Sequence, residues 1–120
     1  MPKECRLTKA SQFQLVYAQG KRFEGKYMTV FVMPSEGVFH KLGITASRKA
    51  LGKAHDRNRA KRLIREAFRL NNPFLYKLKK RYWWVVNAKR TLLDVKLKEP
   101  LEELEKIIEA ISDQENKGEI

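Results

Sequence analysis

The run Arg57-Asn58-Arg59-Ala60-Lys61-Arg62, continued by Arg65 and Arg69, is the densest chemistry in the 120-residue chain. Guanidinium groups make fork-shaped, bidentate contacts with phosphate oxygens. The Asn among them adds a neutral donor and acceptor for a sugar or backbone group. Stacked on successive helical turns, such side chains track a phosphate backbone. The surrounding stretch Ser47–Arg69 also holds Arg48, Lys49 and Lys53, opposed only by Asp56 and Glu66. Cations packed this densely repel one another and weaken a fold unless a polyanion screens them, which points to nucleic acid. A membrane-surface helix would need lipid-inserting aromatics opposite the charges, and this stretch offers only a modest apolar set.

Side chains able to perform catalysis are not arranged for it. His40 and His55 fall in different elements without metal-ligand spacing to Cys5, and each reads as a surface histidine. Asp56 and Glu66 are ten residues apart among arginines, so pairing along a helix is their expected role. Gly43 and Gly52 are isolated and build no phosphate loop. No residue is therefore assigned a catalytic or metal-ligating role. A second constellation is aromatic: Phe13 and Tyr17 share a helix face, and Phe31 lies on a strand. They either floor a groove that stacks unpaired bases or belong to the core.

The elements that must position these groups fit one domain. The net charge is +12, with 42% hydrophobic residues. Residues 1–98 carry 24 basic and 6 acidic groups, and residues 99–120 carry 2 and 8, so a body of +18 precedes an acidic segment of −6. No apolar run approaches the ~18 residues of a spanning helix. The charged N-terminus does not read as a secretory signal, and a single Cys5 suits a reducing compartment, so a cytoplasmic location is expected.

A helix is expected over about Lys9–Ala18, capped by Thr8 and ended by Gly20. Tyr27–Met33 reads as a strand stopped by Pro34, and Phe39–Ala46 as a second. The short turn between them suggests an antiparallel hairpin. Ala54–Leu70 reads as a helix with Ala60, Leu63, Ile64, Ala67 and Phe68 on its buried arc. The nearly continuous apolar run in Arg81–Ala88 suggests a central strand covered on both faces. Leu97–Ile111 is a final helix with Leu101, Leu104, Ile107, Ile108 and Ile111 inward. Its acidic face is either a shield for basic surface or a solvated flank. The order α-β-β-α-β-α implies an α+β sandwich over residues 1–113, with 114–120 a frayed polar tail. The unit around the basic helix can be a crossover between parallel strands, right-handed by general rule.

The whole segment Ser47–Arg69, with R-N-R at Arg57–Arg59 followed by K-R-x-x-R-E at Lys61–Glu66, resembles the signature of the bacterial ribonuclease P protein subunit. Arg6-Leu7, Phe13-Gln14-x-Val16-Tyr17-x-x-Gly20 and Leu42-Gly43-Ile44 fit the same pattern, and the likeness runs in order over residues 6–110. The resemblance implies a sandwich like ribosomal protein S5 domain 2, with a left-handed β-α-β crossover against the general rule. It implies a ribonucleoprotein endonuclease that removes 5′ leaders from precursor tRNA, with hydrolysis done by a catalytic RNA and its Mg²⁺. Arg57, Asn58, Arg59, Lys61, Arg62 and Arg65 match the helix that contacts the RNA subunit. Phe13, Tyr17 and Phe31 match the leader cleft, and Arg48, Lys49 and Lys53 the basic turn beside it. Neither a membrane nor a small-molecule substrate is implied. The turn from Arg48 to Gly52 is one residue longer than in many members, and Trp83, Trp84 and Asn87 stand where smaller aliphatics are common. A ribosomal or general RNA-binding protein of the same fold is the alternative, and a nuclease acting alone is a third.

Overall fold

The computed structural model describes residues 2–120. In chain order the elements are α1 (Ala10–Gln19), β1 (Lys21–Glu24), β2 (Met28–Ser35), β3 (Lys41–Thr45), α2 (Arg48–Leu51), α3 (Ala54–Leu70), α4 (Asn72–Leu75), β4 (Arg81–Ala88) and α5 (Lys98–Asn116). Short 3₁₀ turns occupy Lys3–Cys5 and Arg90–Asp94. The strands form one sheet in the order β1-β2-β4-β3. β2 runs antiparallel to both β1 and β4, while β3 runs parallel to β4. The β3-α3-β4 unit is thus the expected crossover between parallel neighbours.

Pairing β2 directly with β3 as a hairpin is not what occurs, because β4 lies between them. β4 is apolar on both faces, and such a strand is stable only with neighbours on both sides and cover above and below. A β2–β3 hairpin would have left it at an edge. The hairpin that does form joins β2 to β1, a polar strand that hydrophobic patterning did not reveal. Glu103 of α5 holds that turn, its carboxylate accepting from the backbone N–H groups of Lys26, Tyr27 and Met28 at 2.9–3.2 Å. A Cβ on Gly25 would come 2.8 Å from the Met28 carbonyl oxygen and would also displace the Glu103 carboxylate, so glycine suits this approach. β2 also continues through Pro34 instead of stopping there. β1 reaches only to Val32, so Pro34 sits on an edge stretch, where a missing N–H is tolerated.

Register assigns the two faces. Val30, Val86 and Ile44 form one cross-strand row, with Val32, Trp84 and Leu42 beside it. This face meets α3 and α5 in the main core, which includes Ile64, Ala67, Leu104, Ile108 and Ile111. Fully burying a large aliphatic side chain contributes roughly 1.5–3 kcal/mol, so the inward stripe of α5 alone is worth several. The opposite face carries the rows Phe31–Val85–Gly43 and Thr29–Asn87–Thr45. There α1 packs a smaller core around Val16, Val85 and Leu7. The helix expected to be capped by Thr8 is instead capped by Gln12, whose Oε1 accepts from the N–H groups of Thr8 and Lys9 at 2.9 and 3.0 Å.

Two further expectations change. His40 is not at the surface but 2% exposed. Its Nδ1 accepts from the Tyr82 N–H and the Trp84 indole N–H, each at 3.1 Å, and its Nε2–H donates to the Leu75 carbonyl at 2.9 Å. Burial first, with Arg81's charge adding to it, pushes its pKa down to about 4. The segment expected to fray also begins inside α5, which runs to Asn116. Buried Glu115 accepts from the N–H groups of Lys79 and Lys80 at 2.9 and 3.1 Å and from the Tyr82 hydroxyl at 2.5 Å. Burial and this carboxylate raise the pKa of the Tyr82 phenol. Two acidic residues of α5 are thus neither a shield nor a solvated flank: they are caps for turns of the basic body.

Candidate nucleic-acid interface

The face of the sheet under α1 is only partly covered, with Tyr17 exposed, and Phe13 borders a shallow cleft there. The Phe13 ring rests against β3, where a Cβ on Gly43 would come 2.5 Å from Phe13 Cζ. Tyr17, one helical turn on, meets Phe31 edge to face with ring centroids 4.9 Å apart. Its hydroxyl donates to Asn87 Oδ1 at 2.7 Å, and the Thr45 hydroxyl donates to the same oxygen at 2.5 Å. The structure therefore brings Phe13, Tyr17 and Phe31 to one face, over a polar row on which the tyrosine is anchored. Phe13 and Phe31 are half-buried against the small core, whereas Tyr17 is 39% exposed. The aromatics serve both as packing and as accessible ring surface.

β3 leaves this cleft at Thr45 and runs into the basic turn. Ser47 caps α2, its Oγ accepting from the Ala50 N–H at 3.1 Å. Gly52 then takes φ +76°, a conformation that L side chains rarely adopt, and releases the chain into α3. Arg48, Lys49 and Lys53 stand exposed along this turn. Among the described residues no hydrogen bond or ion pair engages their side-chain nitrogens, nor does one hold them against the aromatic trio.

The basic face of α3 divides into two kinds of side chain. Asn58, Arg62 and Arg65 are exposed. Arg57 donates to the Gly52 carbonyl at 3.1 Å and so braces the turn. Arg59 is half-buried, and its guanidinium donates to the carbonyls of Val95, Leu93 and Leu92 at 2.8, 3.3 and 3.5 Å. It pins the loop after β4 to the start of α3, a task that the sequence pattern did not separate from phosphate contact. Lys61 and Arg65 turn toward β3, where with Arg6, Thr8, Phe13 and Gly43 they line a hollow of about 200 Å³. Of the aromatic trio Phe13 alone lines this hollow, and through it that ring adjoins the basic face of α3. Arg6 and Asn87 were not singled out as site residues. For Asn87 the available signal was an amide at a position that alternates with buried valines.

The acidic groups nearby are already engaged. Asp56 lies 3.2 Å from His55 Nε2. Glu66 is bonded by Arg69, which holds its carboxyl below the ordinary carboxylate range. Glu24 is paired with Lys89 and Arg22, and the Lys89 bond in particular lowers its pKa. Among the described residues no group of three or more His, Cys, Asp and Glu side chains converges as a metal nest.

The family model for ribonuclease P matches residues 1–112. The ribonuclease P protein component of Symbiobacterium thermophilum is 39% identical over 110 residues, covering 91% of this chain and 92% of that protein. The component from Clostridioides difficile is 45% identical over 65 residues, 54% of this chain and 56% of that protein. The one from Staphylococcus carnosus is 44% identical over 72 residues, 59% and 62% of the two chains. These last two matches thus span less than two-thirds of the relatives' own length. Among solved structures, the RNase P protein from Thermotoga maritima superimposes with a TM-score of 0.75 at 29% identity, covering 88% of this chain and 96% of that one. The Staphylococcus aureus RNase P protein gives a TM-score of 0.74 at 27% identity, covering 89% and 94%. With the family model spanning residues 1–112 and the fold shared with solved RNase P proteins, the chain belongs to the ribonuclease P family.

Proposed function

We propose that the chain is the protein subunit of a ribonuclease P, a ribonucleoprotein endonuclease that removes the 5′ leader of precursor tRNA. The observation that carries this is the contiguity of two surfaces of different chemistry. An aromatic cleft suits single-stranded bases, because every base offers a π-face to stack. The face of α3 suits the phosphates of a folded RNA, because its exposed cations are spaced by helical turns. Phe13, Tyr17 and Phe31 hold the leader, with Arg48, Lys49 and Lys53 neutralising its phosphates where it leaves the cleft. Asn58, Lys61, Arg62 and Arg65 grip the RNA subunit. Arg57 and Arg59 keep the turn and the loop in position to do so.

Among the described residues no three or more His, Cys, Asp and Glu side chains converge, and in this reading the Mg²⁺ expected from the family resemblance is held by the RNA subunit. Activation of the attacking water and stabilisation of the leaving oxygen are the chemistry that RNA-bound Mg²⁺ supplies. The protein's share is to neutralise phosphates and fix the leader, which reduces the entropy lost on reaching the reactive geometry. Among the described residues no helix is long and apolar enough to cross a membrane. The proposed site of action is the cytoplasm, where precursor tRNA is met.

The test is reconstitution. The chain alone should leave precursor tRNA intact. With a matching ribonuclease P RNA it should stimulate cleavage at the mature 5′ end, most strongly at low Mg²⁺, where phosphate neutralisation matters most. Correct 5′ processing by the protein without RNA would refute the mechanism. Binding to many RNAs without stimulation would favour a general RNA-binding role.

A further inference from the structure

Of the two adjacent tryptophans in β4, only one is enclosed. Trp84 is fully buried in the main core, and its indole N–H donates to His40 Nδ1 at 3.1 Å. Trp83 faces the other way, toward the side of the sheet that carries α1, because successive side chains of a strand alternate. It is half-buried, packed against the small core of Leu7, Val16 and Val85. Among the described residues no hydrogen bond engages its Nε1–H, and the enclosed unpartnered side-chain atoms are Ser35 Oγ and Gln114 Oε1, so this N–H reaches solvent. Register places Trp83 in the row Met33–Trp83–Lys41. That row lies across the Phe31–Val85–Gly43 row from Asn87, and so apart from the contact between Tyr17 and Asn87. Lys41 is the direct neighbour of Trp83 on β3, and among the described residues no ion pair holds its Nζ. Arg81, two residues before Trp83, is already engaged: it donates to the Leu78 carbonyl at 3.1 Å and lies 4.6 Å from the centre of the Tyr76 ring.

An accessible indole beside a free ammonium has the chemistry of a nucleotide platform. The ring stacks a base of any identity, and the ammonium neutralises the phosphate attached to it. The net charge of +12 favours a polyanion over a protein as the occupant. The surroundings indicate which polyanion. Lys41 precedes Leu42, and Leu42 lines the hollow shared by Arg6, Lys61 and Arg65. Cations therefore continue from α3 round the β3 edge to Trp83. We infer that Trp83 and Lys41 form an outlying stacking site for one unpaired nucleotide of the RNA subunit, which reaches round the β3 edge from the basic face of α3. The site is separate from the aromatic cleft and involves no choice among bases. This inference rests on α3 holding that RNA.

The experiment titrates the full chain with ribonuclease P RNA and reads tryptophan emission together with filter-binding affinity. Stacking should quench the emission of the unaltered chain. Trp83→Phe, which keeps an aromatic ring in the packing and leaves Trp84 as the remaining tryptophan, should lose most of that quenching. Trp83→Ala should weaken RNA-subunit affinity by about tenfold, the worth of one stacked base. Lys41→Gln should lower the slope of log K against log salt by about 0.7, the share of one phosphate on a single strand. Neither change should alter the preference for precursor over mature tRNA. Binding without quenching in the unaltered chain, or equal quenching in Trp83→Phe, would overturn the inference. So would RNA-subunit affinity unchanged by Trp83→Ala with a loss confined to precursors carrying long leaders, which would assign the platform to the leader. Emission that varies with protein concentration and not with RNA would mark a contact between copies and overturn it as well. Arg62→Ala separates these failures from failure of the α3 reading. If only the Trp83 assignment is wrong, Arg62→Ala still weakens RNA-subunit binding. If α3 does not hold that RNA, Arg62→Ala leaves it untouched.

Discussion

Arg59 separates a phosphate contact from a structural clamp. Its guanidinium makes one short bond, to Val95 at 2.8 Å, and two long ones, to Leu93 and Leu92 at 3.3 and 3.5 Å. A hydrogen bond from a charged donor contributes roughly 1.5–3 kcal/mol, and the long pair adds little because those carbonyls can rehydrate. Arg59→Ala should therefore cost about 2 kcal/mol of folding stability. For a domain of this size that lowers the melting temperature by about 8 °C. Arg62 has no such bond among the described residues and is exposed, so Arg62→Ala should change stability by less than about 0.5 kcal/mol. Under the proposed function, binding to ribonuclease P RNA should reverse the ranking. Removing a cation that neutralises one phosphate lowers the slope of log K against log salt by about 0.7–0.9. Arg62→Ala should show that flattening and Arg59→Ala little of it. The assay pairs thermal melts with filter binding to ribonuclease P RNA across a salt series. An Arg59→Ala protein that melts with the parent yet flattens the salt slope as much as Arg62→Ala would refute the clamp assignment.

Other consequences are equally concrete. Glu115→Ala strands the buried Tyr82 hydroxyl and two backbone donors, so it should cost about 3–4 kcal/mol in denaturant titration. Deleting residues 114–120 should cost at least as much, and an unchanged midpoint would show that the C-terminal turn contributes nothing. His40 titrates at about 4 in the fold against an ordinary 6.5, so the unfolded chain binds the extra proton between those values. Stability should rise with pH across that window by up to about 3 kcal/mol and be lost as pH falls through it. His40→Gln should remove that part of the pH profile, and a profile that keeps it would assign the titration elsewhere. Gly43→Ala places a methyl 2.5 Å from Phe13 Cζ, which should displace the ring at a cost of about 1–3 kcal/mol. The same variant should weaken the preference for precursor over mature tRNA in paired affinity measurements, and an intact preference would mean that Phe13 need not rest on β3.

What the sequence alone determined about this protein are its local, periodic features. The bounds of α3 were legible to the residue, because a 3.6-residue stripe of Ala60, Ile64, Ala67 and Phe68 is interrupted by nothing and closed by Asn71. The central place of β4 was legible because apolar residues in succession need cover on both faces. A polyanion partner is what the charge leads one to expect, and the aromatic and arginine site positions are what the family resemblance implies. Tertiary structure decided what depends on partners distant in sequence. β1 is too polar to announce itself and exists because Glu103, from the far end of the chain, gathers its turn. β2 and β3 are kept apart because β4 competes for the slot between them. His40 looks like a surface residue until Tyr82, Trp84 and Leu75 close around it. Arg59 and Arg62 are the same residue type on one basic helix, yet only the loop at 92–95 makes one a clamp and leaves the other free. Asn87 is a lone amide in a strand until hydroxyls from α1 and β3 meet its side chain. Periodicity encodes the burial of each element, but hydrogen-bond direction is set only when the elements meet.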